Sequence, residues 1–215
     1  MVFNLSDGNT VANQFIAQLR DRTIQADRMK FRKNLERLGQ VMAYEISRRL
    51  AYHAQDVETP LGKSTMMLVA EEPVLFTVLR AGLPFFQGFL DYFDRADCGF
   101  VGAYRKEGEQ EIKIQLDYVA APDVTGRDVI LVDPMLATGK SIVRTIDAIL
   151  EIGKPRHLYI ASLVAVQEGI DYINRHVTMV PYTICTCALD LQLDERFYIV
   201  PGLGDAGDLS YGAKL

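Results

Sequence analysis

Cysteine is scarce in this chain: Cys98, Cys185 and Cys187 are the only three among 215 residues. An odd, small number without paired spacing argues against a disulfide scaffold and points to a reducing compartment, the cytoplasm. Cys185 and Cys187 share an alternating stretch, Tyr182 to Leu189, with no second Cys/His pair to complete a zinc site, so the stretch reads as a strand. Long apolar runs are missing too. All fall well short of the roughly 18 residues that a membrane span needs. Met1 to Thr10 lacks the basic-then-apolar order of a signal peptide. Nor is there an excess of positive charge: Lys and Arg number 23 against 28 Asp and Glu, a formal net charge of −5. That balance argues against broad binding to nucleic acid or to an anionic membrane, while leaving room for a small anionic ligand in a pocket.

What is present is an ordinary globular composition, 49% hydrophobic and 24% charged. No repeat, low-complexity segment or linker interrupts it, so one domain over residues 1–215 is expected. From Asp27 to about Tyr52, Phe31, Leu35, Leu38, Met42, Ile46 and Leu50 recur at steps of three and four. The spacing predicts a long helix whose stripe packs on the core or on a second subunit. Beyond Pro73 the pattern changes to short continuous apolar runs: Val74 to Leu79, Val129 to Val132 and Leu158 to Val166, with a helical stretch from Ile142 to Leu150. Runs buried on both faces and alternating with helices predict an α/β fold with a parallel sheet. Residues 100–121 read instead as a flexible β-hairpin with a charged tip, Arg105 to Glu111.

The richest segment runs from Val129 to Ser141. A buried strand ends in Asp133, a loop follows (Pro134, Met135, Leu136, Ala137, Thr138, Gly139, Lys140), and a helix opens near Ser141. Such a helix start offers N–H groups and a positive dipole end to a phosphate, and Thr138 and Ser141 add hydroxyls. Gly139-Lys140-Ser141 invites comparison with the nucleoside-triphosphate loop G-x-x-x-x-G-K-[ST]. There, however, the first glycine would be Pro134, which has a fixed φ and no N–H. That reading fails. An acid before the loop suits a sugar diol, so Asp133 with residues 137–141 reads as a ribose 5-phosphate cradle. The alternative is an ordinary strand-to-helix turn with Asp as a helix-start residue. Near the C-terminus, Tyr198 to Asp208 places three glycines, a proline and two acids after an apolar strand. Its exposed backbone could read a flat, polar base edge, or could simply close the chain in a tight turn.

Both segments resemble the type I phosphoribosyltransferases, and the wording Val132 to Gly139 and Tyr198 to Asp208 resembles the uracil branch of that family. The likeness extends from Phe31-Arg32 and Glu58 to Gly62 through to the C-terminus. It implies a parallel sheet flanked by helices, with a β-hairpin arm and a small C-terminal base-binding hood within residues 182–215. It also implies transfer of a phosphoribosyl group from phosphoribosyl pyrophosphate (PRPP) to uracil, giving UMP. By that resemblance Asp133, Asp205 and Arg105 are catalytic. Arg80, Arg105, residues 133–141 and Asp205 hold PRPP, and Ile199, Gly204, Asp205 and Ala206 hold uracil. Mg²⁺ is implied as cofactor, carried mainly by PRPP, and a homodimer or larger homo-oligomer is implied as the assembly. Two arginine forks suit pyrophosphate oxygens, although either arginine alone would read as a surface residue. The hairpin over 100–121 is expected to close over the site. His53, His157 and His176 lie outside both loops, and no Ser-His or Cys-His arrangement is evident.

Two departures from the family pattern stand out. Lys140 occupies a position where the family usually has a second glycine; a requirement for φ > 0 there would strain it, whereas its ammonium could instead meet a phosphate. Leu209 stands where the family commonly has Arg. A phosphoribosyltransferase for another base would be expected to change the tail, and an RNA-binding regulator to show a basic patch.

Overall fold

The sheet orders its strands so that the sequence's two informative loops emerge along one edge. A computed structural model describes residues 1–105 and 114–213, with the side chains of 103–117 outside the description. The chain begins with β1 (Val2–Asn4), α1 (Val11–Arg20) and α2 (Arg28–Ser47), followed by β2 (Tyr52–Thr59) and β3 (Gly62–Val69). Next come β4 (Val74–Leu79), α3 (Leu83–Leu90), β5 (Cys98–Arg105) and β6 (Ile114–Ala120). β7 (Asp128–Val132), β8 (Met135–Leu136), α4 (Lys140–Ile152), β9 (His157–Val166) and α5 (Gln167–His176) continue it. β10 (Tyr182–Asp190), β11 (Gln192–Leu193), β12 (Ile199–Val200) and α6 (Ala206–Tyr211) complete the order.

The main sheet runs β1-β10-β9-β7-β4-β5-β6, with β8 pairing to β9. Every pairing is parallel except β5 with β6. Parallel strands need both faces covered, and their residues divide accordingly. In β7, Ile130 and Val132 join the core beneath α1, α2 and α3, while Val129 and Leu131 join the core beneath α4 and α5. The chain moves to one side of β4 through β5 and β6, then returns to its other side with β7. The carboxyl ends of β4 and β7 therefore flank the crevice where open α/β sheets bind ligands.

Helix α2 starts where the spacing predicts, with Asp27 accepting a hydrogen bond from the Lys30 amide. It ends at Ser47 rather than near Tyr52. Amides of Arg49 and Leu50 bond back three residues and tighten the last turn, and Tyr52 opens β2. The stripe Phe31, Leu35, Leu38, Met42 and Ile46 is buried within the chain itself, so it offers no free face to a second subunit. The unanticipated β2–β3 hairpin forms its own two-stranded sheet and is exposed almost throughout. The hairpin expected over 100–121 corresponds to β5 and β6, whose register shifts between Gly102 and Ala103. Its charged tip from 106 to 113 lies outside the described residues. Of the segment 182–215, residues 182–190 form β10 of the main sheet, and the remainder carries β11, β12 and α6.

Candidate active site

Asp133 follows β7 directly and is only 8% exposed. Its amide donates to the Ala161 carbonyl (3.0 Å), and its Oδ1 accepts from the Met135 amide (3.2 Å). The Pro134 carbonyl accepts from the amides of Leu163 and Val164, and Met135 and Leu136 then run beside Val164 and Ala165 of β9. The loop is thus bonded to β9 before it reaches Ala137 and Thr138. Gly139 turns the chain into α4 with φ 75°, a left-handed conformation, and no side chain caps that helix. The first turn begins with Lys140, whose amide lies 3.5 Å from Thr138 Oγ1, and with Ser141; a helix start of this kind can offer N–H groups to an anion. Lys140 is the first residue of α4 and is not among the positive-φ residues. The strain considered for a lysine there does not arise, because the preceding glycine makes the turn.

Arg80 follows β4, the neighbour of β7, across a cis Leu79–Arg80 peptide. Thr77 pairs in register with Val132, and its hydroxyl donates to the Val132 carbonyl (3.2 Å), tying the two strand ends together. Arg80 Nη2 donates to Asp208 Oδ1 (2.8 Å) and to the Gly212 carbonyl (2.6 Å). Arg105 ends β5 and pairs along the backbone with Ile114; its side chain lies outside the described residues.

The tail is held by a residue that sequence reading passed over. Asp190, at the carboxyl end of β10, takes both ends of the Arg20 guanidinium (2.9 and 2.6 Å), and its Oδ2 also accepts from the Gly202 amide (2.8 Å). Gly202 and Gly204 have φ of 56° and 95°, so the chain doubles back through conformations that a side chain would resist. Ile199, Leu203 and Ala206 are buried in the same core as Val132 and Ala137. Asp205 Oδ1 accepts from the Asp208 amide (2.9 Å) and caps α6, while Arg32 donates to the Ser210 carbonyl (2.7 Å). Leu209, in place of an arginine, packs against this core, within 3.7 Å of where a Cβ on Gly204 would stand. The Asp133 loop and the tail therefore meet through a common core, and the tail touches the Arg80 loop directly. A cavity of about 430 Å³ lies to one side, lined by Arg32, Leu83, Phe86, Phe100 and Tyr211 among others, and by none of the expected loop residues.

Comparison with known proteins is consistent with this geometry. The family model for uracil phosphoribosyltransferase matches residues 7–213. The chain belongs to the uracil phosphoribosyltransferase family. Relatives of the same description include one from Porphyromonas gingivalis, 48% identical over 215 residues, covering 100% of this chain and 99% of the relative. Another, from Sulfolobus acidocaldarius, is 38% identical over 208 residues, covering 92% and 94%. Among solved structures, the AQ2163 protein from Aquifex aeolicus superposes with a TM-score of 0.88 at 29% identity, covering all of both chains. A hypoxanthine phosphoribosyltransferase from Staphylococcus aureus shares the fold, with a TM-score of 0.50 at 12% identity over 75% of this chain and 76% of that one. Among the described residues, no helix of this family member is long and apolar enough to cross a membrane.

Proposed function

We propose that this chain transfers the phosphoribosyl group of PRPP to N1 of uracil, forming UMP and releasing pyrophosphate. The observation that carries the reading is the tie between the two strand-end loops, in which Arg80 beside the Asp133 crevice is hydrogen-bonded to Asp208 and Gly212 of the tail. In the reaction the N1–C1′ bond forms as the bond from C1′ to the pyrophosphate oxygen breaks. The electron pair leaves with pyrophosphate, and the N1 proton passes to the Asp205 carboxylate or to water. Positive charge develops on the ribose, so positioning and electrostatic stabilisation do most of the work.

Asp133 anchors the ribose diol and residues 137–141 hold the 5′-phosphate. Arg80 and Arg105 grip the pyrophosphate. Ile199, Gly204 and Ala206 read uracil largely through backbone groups, with Asp205 at the junction of both substrates. Among the described residues no cluster of three His, Cys, Asp or Glu side chains could hold a metal. Mg²⁺ would be carried mainly on substrate oxygens, next to Asp133 and Asp205. Mg²⁺ bound there would neutralise charge on the leaving pyrophosphate.

Self-association belongs to the same proposal. The β2–β3 hairpin exposes Val57, Leu61, Met66, Met67 and Leu68, and an isolated two-stranded hairpin is at best marginally stable in water without something packed on it. A homodimer or larger assembly would cover it. A cytoplasmic location suits the three free cysteines. The deciding assay incubates the protein with PRPP, Mg²⁺ and each pyrimidine and purine base in turn. UMP from uracil alone is expected; product with another base only, or no nucleotide at all, would overturn the reading.

A further inference from the structure

Arg80 is held in place before any ligand arrives. Its Nη2 is shared between Asp208 Oδ1 and the Gly212 carbonyl, whereas its Nε is buried without a hydrogen-bond partner among the described residues. Gly207 lies against it: a Cβ there would stand 3.7 Å from Arg80 Nε and 3.6 Å from Ala81 Cβ. Asp208 is bound at both ends. Its amide donates to Asp205 Oδ1 while its carboxylate receives Arg80. Asp208 is thus a single residue linking the arginine beside the crevice to the carboxylate that ends the base-reading turn.

We propose that Asp208 is a positioning residue: it aims the Arg80 guanidinium at the pyrophosphate and couples that grip to the uracil-reading turn. The inference rests on the assignment of Arg80 to pyrophosphate made above. An arginine side chain has several rotatable bonds, so a free guanidinium samples many directions. Pinning Nη2 from two sides fixes the guanidinium plane and leaves Nη1, with both its hydrogens, as a charged donor of fixed direction for a phosphate oxygen. The pair is too exposed to be a main support of the fold, with side chains 34% and 40% accessible. Its purpose is therefore orientation. Because Asp205 caps α6 through the Asp208 amide, a displacement of Asp208 also reaches Gly204 and Ala206.

The test compares the wild type with Asp208→Ala, Asp208→Asn and Asp208→Glu, with Arg80→Ala as reference. Steady-state kinetics should give a KM for PRPP raised about tenfold in Asp208→Ala and Asp208→Asn. The KM for uracil should rise in the same direction, kcat should change by less than about threefold, and Asp208→Glu should recover part of the loss. Calorimetry with inorganic pyrophosphate and Mg²⁺ provides a readout independent of turnover: affinity should fall about tenfold in Asp208→Ala and further in Arg80→Ala. Weak pyrophosphate binding in Arg80→Ala together with wild-type binding in Asp208→Ala overturns the role of Asp208 alone. Unchanged binding in Arg80→Ala removes the assignment of Arg80 and the inference with it. A fall in kcat and melting temperature with both KM values unchanged would make Asp208 a structural residue and overturn the proposal.

Discussion

Adding a single methyl group at Gly139 tests whether the turn into α4 is the phosphate cradle. Gly139 has φ 75°, and a residue with a Cβ loses about 1–2 kcal/mol in that left-handed region. The new Cβ would also stand 2.7 Å from the Gly169 carbonyl oxygen, where ordinary contact begins at 3.4 Å, so about 0.7 Å must be made up. The obstacle is backbone on α5 and cannot swing away, so the loop must move. A shift approaching 1 Å at a positioning element costs on the order of 100-fold in rate, which sets the expectation for Gly139→Ala at about 10- to 100-fold in kcat/KM for PRPP. The melting temperature should fall by about 4–8 °C, the equivalent of about 2 kcal/mol in a chain of this size. The KM for uracil should move much less. Gly169→Ala makes a useful companion, because a Cβ there would press on the Ala137 carbonyl and on Leu136 Cδ2. It should reproduce the PRPP defect from behind the loop. Stopped-assay kinetics with both substrates varied, alongside calorimetric melting, would measure all of this. Gly139→Ala with kcat/KM for PRPP within about twofold of wild type would refute the reasoning.

Three further outcomes are expected. Asp133→Asn retains an acceptor for the Met135 amide, so folding should change little while turnover falls by about 100-fold or more; wild-type turnover with normal PRPP affinity would remove Asp133 from the site. Asp190→Ala leaves Arg20 partly buried without its partner, at a cost of about 3 kcal/mol, since the Asp190 side chain is only 5% exposed. It should raise the KM for uracil while pyrophosphate binding by calorimetry stays put, and an unchanged KM for uracil would detach this ion pair from base recognition. Burial pushes the Cys185 thiol up to about 12 and Cys187 further still, with Cys98 raised less by half-burial. At pH 8 only about one Cys185 in ten thousand is then ionised, so iodoacetamide and mass spectrometry should find Cys185 and Cys187 unmodified in native protein and alkylated in guanidinium; native labelling of either would contradict the burial.

The sheet was legible because its strands announce themselves. Val129 to Val132 is apolar at every position, and β7 buries alternate residues into the two cores on either face of the sheet. The Asp133 loop was legible from the order strand, acid, small residues, helix, which the chain keeps within a dozen positions. The β2–β3 hairpin was not. Apart from Val69, which packs on one core, its residues are exposed, so no burial pattern marks them, and Leu50, buried beyond the end of α2, carries the helical spacing past the helix. Asp190 had the same strand-end signature as Asp133, but its partner Arg20 lies 170 residues away, and such pairings leave no trace in local spacing. The position of Lys140 was resolved only by backbone geometry, since sequence alone could not say whether the left-handed turn falls on Gly139 or on its neighbour.

The clamp of Arg20 on Asp190 and Gly202 has a consequence for synthesis. The turn after β12, which is proposed to read the base, is made long after α1 in the order of elements, yet it is fastened to that helix. A nascent chain can bond the Asp133 loop in place once β9 has followed β7 and α4, whereas the turn after β12 waits for the last elements. Shortening the chain through α1 should therefore injure base recognition at the opposite end of the sequence, before it reaches the middle of the protein.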